Sequence, residues 1–368
     1  MKCCKNSIGV FLMVCCLLSM TGSGFTSVPP TQKAVVVVPA SKVGHDVLQP
    51  PVPKNEIPIT PVKEKEKVTE TITISFIGDC LIATASGGKQ AGSLNWTASH
   101  RPASYFFEKV DDILKSDDFT VANCENVFTD SAFTPIKKSG RAFWFRSAAK
   151  NAFIFQSGGV DIVSIANNHT GDYGKAGFLD TIKALENAGL QVGYNNLPVL
   201  VEKNNIRIGI ICCDLWGYSH YKRTIKQLKD IQPDTDIQIV YFHGGQENIH
   251  RPEEWKKSAA RKIAEAGADL VVGGHPHVLQ PMEVYQGVPI VYSIGNFVYG
   301  GNRQPENRTI IFQSSFEIID GKTSVSYSII PCYVYTKIAN NWQPDRIKDQ
   351  DEKNRVLDFM HGNRKLPY

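Results

Sequence analysis

"EEWKKSAARKIAEAGADLVVGGHPHVLQ" (253–280) contains the unit on which the fold turns. Its first fifteen residues space Trp255, Ala259, Ala260, Ile263 and Ala264 as one apolar helical face, and Gly267 ends the pattern. The run Leu270-Val271-Val272 then reads as a strand buried on both faces. That strand runs into two glycines and two histidines separated by one proline. Two apart in an extended segment, the imidazoles of His275 and His277 are expected to point the same way. Gly273-Gly274 would let the backbone approach whatever they hold.

The same rhythm recurs along the chain. Helical patterns at 104–116 and 175–189 alternate with Val- and Ile-rich strand patterns, which predicts an α/β architecture. After about Val284 strand follows strand, so the later part of the sheet is expected to be antiparallel or mixed. Five apolar runs finish in potential ligands or acid–base groups: Asp79; Asn123 and Glu125; Asn167, Asn168 and His169; His243 and Glu247; His275 and His277. In open α/β sheets the strand carboxyl ends form one crevice, so the five together point to a single polar site.

The first residues read differently. Lys2 and Lys5 precede an apolar run from Ile8 to Leu18 and the small residues 21–24, which marks residues 1–24 as a signal peptide or an uncleaved anchor. Lipidation is a weaker third reading, because no small residue stands before Cys15 or Cys16 as a lipoprotein site requires. Residues 25–69, with eight prolines between Pro29 and Pro61, read as an extended, disordered tether. One domain is expected over 70–340, and a polar tail or peripheral helix over 341–368. The protein is therefore expected to work outside the cytoplasm, at the cell surface or anchored to the membrane.

A formal charge of +4, with no basic arm, gives no reason to expect nucleic acid as a partner. Four of the nine cysteines lie in the first sixteen residues; the other five lack CxxC spacing and read as small buried hydrophobes, with a Cys80–Cys124 bridge as the alternative.

Imidazoles combined with carboxylate and amide oxygens suit Mn, Fe or Zn better than calcium. The set exceeds what one tetrahedral zinc needs, so two divalent metals bridged by a carboxylate are expected, activating a water. Duller roles stand beside these: Asp79 as a turn cap, Glu125 on a solvated loop, Asn123 as a turn former, His275 and His277 as core histidines. Asn167 is expected to hold its loop, Glu247 to support a ligand histidine or orient the loop, and Asn123 and Asn296 either to shape a turn or to touch substrate. The segment "KKSGRAFWFR" (137–146) sets Arg141 and Arg146 among aromatic residues, either as a polyanion site or as a core edge with a basic rim.

The motifs "GDCL" (78–81), "NCE" (123–125), "ANNHTGDYG" (166–174), "HGGQE" (243–247), "GGHPHVLQ" (273–280) and "SIGNFVY" (293–299) appear in one order over about three-fifths of the chain. In these the chain resembles the CapA family of capsule (poly-γ-glutamate) synthesis proteins, within the calcineurin-like metallophosphoesterase fold. The resemblance implies an αββα sandwich of two mixed sheets flanked by helices. It implies that Asp79 binds a first metal, Glu125 bridges, Asn168 and His243 bind a second, and His275 and His277 serve one each. It places His169 as proton donor to the leaving group, with Asp172 to orient it. Two departures stand out: Leu81 where relatives carry a histidine, and Glu rather than Asp at the bridge. They leave room for a single metal or weakly held ones.

The implied activity is a metal-dependent hydrolase or transferase acting on an anionic polymer such as poly-γ-glutamate, or on a phosphorylated envelope precursor, with membrane capsule-synthesis proteins as possible partners. The alternatives are a non-catalytic polymer-binding part of an export complex, and a phosphodiesterase or nucleotidase that shares only the fold.

Overall fold

The first strand shows why this sequence makes buried sheets. In β1 (Thr71–Cys80), Ile72, Ile74 and Phe76 enter one apolar cluster while Ile77 and Cys80 enter another, and all five are fully buried. A strand covered on both faces needs this near-continuous apolar composition.

The computed structural model describes residues 70–368, apart from 140–141, 196, 301–305, 320–321 and 337–338. The expected leader (1–24) and tether (25–69) lie outside the described residues, as does Arg141. After β1 come β2 (Thr84–Ala85), α1 (Leu94–His100), α2 (Asp111–Leu114), β3 (Phe119–Cys124), β4 (Val127–Phe128) and β5 (Phe145–Ser147). Then follow α3 (Phe153–Ser157), β6 (Ile162–Ser164), α4 (Gly174–Asn187), β7 (Gln191–Gly193), β8 (Val199–Lys203) and β9 (Ile206–Asp214). The middle of the chain forms α5 (Tyr218–Ile231), β10 (Ile237–His243), α6 (Glu254–Glu265) and β11 (Leu270–Gly274). It ends with β12 (Leu279–Tyr285), β13 (Val288–Ile294), β14 (Arg308–Ile319), β15 (Lys322–Tyr333), β16 (Asp345–Arg346) and α7 (Gln350–Met360).

Two mixed sheets result, in the orders β16-β15-β14-β1-β3-β6-β7 and β12-β13-β11-β10-β9-β8, with a small third sheet β2-β5-β4. In the first, β1, β3, β6 and β7 are parallel; in the second, β9, β10, β11 and β13 are. The sheets share a core of Ile74, Val121, Ile210, Tyr241, Val272 and Phe312, which Val356, Phe359 and Met360 of α7 join. Helix α4 buries Ala184 and Leu185 on the outer face of the first sheet, and α5 and α6 bury Leu228, Ala260 and Ile263 on that of the second. This is the helix-flanked sandwich of two mixed sheets that the sequence implies, and the late strands pair antiparallel, β12 with β13 and β14 with β15.

Two local expectations are corrected, and the reading of the five later cysteines as small buried residues stands. The pattern at 104–116 is not one helix but a 3-10 turn at Ala103–Phe106 followed by the four-residue α2. Phe106 and Phe107 are both fully buried, with Phe107 stacked 6.0 Å from Phe297; a continuous helix would turn one ring about 100° away from the other. No bridge joins Cys80 and Cys124, although they are register partners. Each thiol donates instead to a carbonyl two residues away, Gly78 and Asn126. The second correction concerns 275–278, which is a series of bends rather than extended chain, with His275 at φ 92° and His277 at φ 60°. Among the described residues no helix is long and apolar enough to cross a membrane.

Phe312 lies at the centre of the shared core with no exposed surface. Phe312→Ala should destabilise the fold by about 3–5 kcal/mol, read as a lower midpoint in urea unfolding.

Candidate metal centre

The parallel strands of both sheets end at the same edge of the sandwich, and the donors sit on those ends. A register shift between Phe76 and Asp79 inserts one extra residue in β1 against β3, a bulge of the kind that re-aims a side chain next to a site. It sets Asp79 opposite Asn123. On the other sheet, His243 is paired with Gly274.

Asp79 is fully buried and fully engaged. Asn123 Nδ2 donates to its Oδ1 at 2.8 Å and the His275 backbone N–H to its Oδ2 at 2.9 Å. His243 Nδ1 and His277 Nδ1 each lie 3.5 Å from its oxygens. Burial by itself would raise its carboxyl, but the two imidazoles outweigh it and hold the group well below the usual range. A Cβ on Gly274 would stand 2.7 Å from Asp79 Oδ1, so this glycine does allow the close approach, whereas one on Gly273 would meet Phe242 and the Tyr292 carbonyl.

Glu125 is the opposite case. Its carboxylate is buried and neither oxygen has a hydrogen-bond partner. Its oxygens lie 3.5 Å from His243 Nε2 and 3.9 Å from His277 Nδ1. Burial pushes its carboxyl well above the normal range, and the nearby acidic groups add to this despite the opposing charge of His277. A buried carboxylate of this kind is costly unless a cation meets it.

The imidazoles complete two overlapping groups, Asp79–Glu125–His277 and Glu125–His243–His275, in each of which one ligand atom per residue lies within 4.8 Å of the others. Glu125 belongs to both. Asn168 Oδ1 lies 2.8 Å from His243 Nε2, which in turn is 3.0 Å from His275 Nδ1. Burial, reinforced by the other imidazoles, pushes His275 down to about 2; burial would lower His277 too, but Glu125 and Asp79 outweigh it and bring it up to about 10. The donor set and the orphaned carboxylate fit a divalent cation. The left-handed backbone at His275 and His277 stores about 1–3 kcal/mol at each residue, a cost met where the surroundings over-determine a site. Their rings converge to 5.7 Å through that backbone and not through strand alternation.

His169 and Asp172 stand beside the cluster. Asp172 is fully buried; its Oδ2 lies 3.0 Å from His169 Nδ1 and accepts from the Phe145 N–H at 2.7 Å, while Oδ1 pairs with Lys138. Asn167 holds its loop by donating to the Asn123 side chain and the Cys124 carbonyl. Asn296 is buried, bridges Asp79 by backbone and contacts His277 Nδ1 through its Oδ1 at 2.9 Å.

Arg146 is not brought to the cluster. It donates to the Ser131 carbonyl and lies over the Tyr173 ring, in a separate depression of about 270 Å³.

Sequence reasoning underrates one neighbour and passes over two. Glu247, which it assigns no metal, lies within 4.8 Å of ligand atoms on His275 and His277. Trp216 stands edge-on to His275 with ring centres 4.7 Å apart; it comes just after β9, so the strand-end rule applied to "IRIGIICCDLW" (206–216) would have found it. Lys256 has no motif. It is fully buried on α6, donates to Gln280 Oε1 at 2.9 Å, and is brought down to about 7 by burial.

Residues 73–300 match the family model described as bacterial capsule synthesis protein PGA_cap. The PGA biosynthesis protein CapA of Bacillus subtilis (strain 168) is 27% identical over 259 residues, 64% of this chain; the match spans 66% of that protein, a little under two thirds. The capsule biosynthesis protein CapA of Bacillus anthracis is 26% identical over 325 residues, 81% of this chain and 74% of that one. A solved structure of a hypothetical protein from Thermus thermophilus is 14% identical with a TM-score of 0.44, covering 71% of this chain and 99% of that chain.

Because a metal must displace protons held by His277 and Glu125 in the metal-free protein, affinity for Mn or Zn should rise as the pH is raised toward about 10, where His277 loses its proton. Calorimetry in buffers of different ionisation enthalpy should register the released protons. Glu125→Gln should weaken that affinity and its pH dependence together.

Proposed function

The chain belongs to the bacterial capsule synthesis protein PGA_cap family, and from that membership we propose that it is an exported, metal-dependent hydrolase-type catalyst of capsule synthesis. Its substrate would be a polyanion such as poly-γ-glutamate or a phosphorylated envelope precursor. The observation that carries this reading is the carboxylate of Glu125, stripped of hydrogen bonds among imidazoles.

Asp79 and His277 would hold one divalent cation, His243, His275 and Asn168 a second, and Glu125 would be shared between them; the donors suit Mn, Fe or Zn. A bound cation supplies Lewis-acid polarisation of a carbonyl or phosphoryl oxygen and lowers the pKa of water. The chain's own residues supply the rest. Asp172, fixed by Lys138 and the Phe145 N–H, accepts from His169 Nδ1 and so sets the ring's tautomer and direction. Nε2 is then the nitrogen that gives a proton to the leaving group. Asn123 steadies Asp79 and His243 together. Membrane capsule-synthesis proteins are the partners that fit an exported polymer-processing enzyme. The B. subtilis and B. anthracis relatives carry capsule or PGA synthesis in their names, which supports the pathway.

One observation favours a second reading. Leu81, 6% exposed, occupies the place where relatives of this fold carry an additional imidazole, which suits a non-catalytic polymer-binding component.

Elemental analysis of the purified chain and Mn-dependent cleavage of γ-glutamyl polymer and phosphoesters separate the two. His169→Ala should retain metal and lose turnover by about a hundred- to ten-thousand-fold, whereas His277→Ala should lose metal. Metal-free protein that binds polymer in a salt-sensitive way, with no turnover, would establish the second reading.

A further inference from the structure

Between β10 and α6 the chain runs Gly244-Gly245-Gln246-Glu247-Asn248, and its own backbone fixes this loop against the bends that carry the two histidines. Gly244 N–H donates to the Gly274 carbonyl at 3.2 Å, and Asn248 N–H donates to the Pro276 carbonyl at 2.8 Å. No side chain fits at Gly244, where a Cβ would stand 1.9 Å from the Leu215 carbonyl oxygen. Asn248 turns the chain through a left-handed φ of 60°, a conformation that asparagine tolerates. Just past it, the buried Lys256 donates to Gln280, whose Nε2 donates in turn to the Ile249 carbonyl. The main chain holds the loop, and the carboxylate of Glu247 has no part in it.

That carboxylate is exposed and makes no hydrogen bond or ion pair among the described residues. It still offers an oxygen within 4.8 Å of a ring nitrogen on both His275 and His277. The donors of the two cation positions show where it is wanted. His243, His275, Asn168 and the shared Glu125 give the second position four protein donors. Asp79, His277 and Glu125 give the first only three. A cavity of about 750 Å³ opens beside the cluster; Leu81, Phe145, His277 and Glu247 line it, and His243 and His275 do not. Glu247 and His277 therefore share one open face, on which Leu81 supplies no donor. The fully buried carboxylate of Glu125, with no hydrogen-bond partner, independently marks the same cluster as made for a cation.

Resting on the metal-dependent reading of the cluster, we propose that Glu247 is the fourth protein ligand of the first cation, beside Asp79, Glu125 and His277. The two positions then differ in chemistry. Three carboxylates and one imidazole suit Mn, whereas two imidazoles, an amide and the shared carboxylate suit Zn or Fe.

The test is calorimetric titration of the metal-free full chain with Mn, at low salt and in about 1 M KCl. Glu247→Gln, at an exposed position where the fold does not depend on the side chain, should weaken Mn binding at one site by at least about tenfold. Removing even an outer partner of a metal causes a loss of about that size. The loss should persist in KCl, because the Debye length falls there to about 3 Å and a charge acting only through space is screened. Mn binding unchanged in Glu247→Gln, or a loss that disappears in KCl, overturns this inference and leaves the metal reading of the cluster standing. A parent chain that takes up no Mn overturns both.

Discussion

The buried carboxylate of Asp79 fastens the two sheets to each other at the edge where the chemistry gathers. It takes one hydrogen bond from Asn123 on the first sheet and one from the backbone that leaves the second sheet at His275. The same residue's backbone receives the segment after β13, with Asp79 N–H on the Gly295 carbonyl and Phe297 N–H on the Asp79 carbonyl. Behind it, Tyr241 donates its hydroxyl to the Ile77 carbonyl. An ionised group this deep is tolerated because every oxygen is met. Without those partners the alignment of the strand ends would rest on the backbone bonds and the Tyr241 hydroxyl alone.

Glu125 sits within the same cluster with none of that support, and the contrast is informative. Two carboxylates share one pocket: one is satisfied by the protein and the other is left for something else. Placing a satisfied acid beside an unsatisfied one gives a rigid frame and an unengaged donor from the same functional group. Trp216 stands edge-on to His275 and Tyr299 lies beside His277, so an aromatic ring packs against each of these two imidazoles.

Much of this is legible in the sequence because parallel strands broadcast their ends. An apolar run long enough to be covered on both faces must stop, and the residues just past the stop lie on one edge. That reasoning finds Asp79, Asn123, Glu125, Asn168, His169, His243, His275 and His277, and the structure gathers them. It reaches the histidine pair for an incorrect reason, since alternation along a strand is replaced by left-handed turns that leave no mark in residue type. The bulge in β1 is equally silent. Arg146 looks like part of the site because it neighbours Phe145, yet successive residues of a strand face opposite sides, and β5 sends the ring to the cavity and the guanidinium elsewhere. The helix expected at 104–116 breaks because burial of two neighbouring phenyl rings overrides helical periodicity. Lys256, a cation in a place where cations are rare, cannot be told from the surface lysines of its own helix by sequence alone.

The left-handed residues at 275 and 277 have an evolutionary corollary. Glycine or asparagine would occupy those dihedral angles at lower energy than histidine, so every generation of random substitution offers the chain an easier backbone there. A lineage that ceased to use the imidazoles would drift toward the relaxed residues, and would gain stability in doing so. Holding imidazoles at these two torsion angles therefore costs this polypeptide backbone energy that the relaxed residues would return.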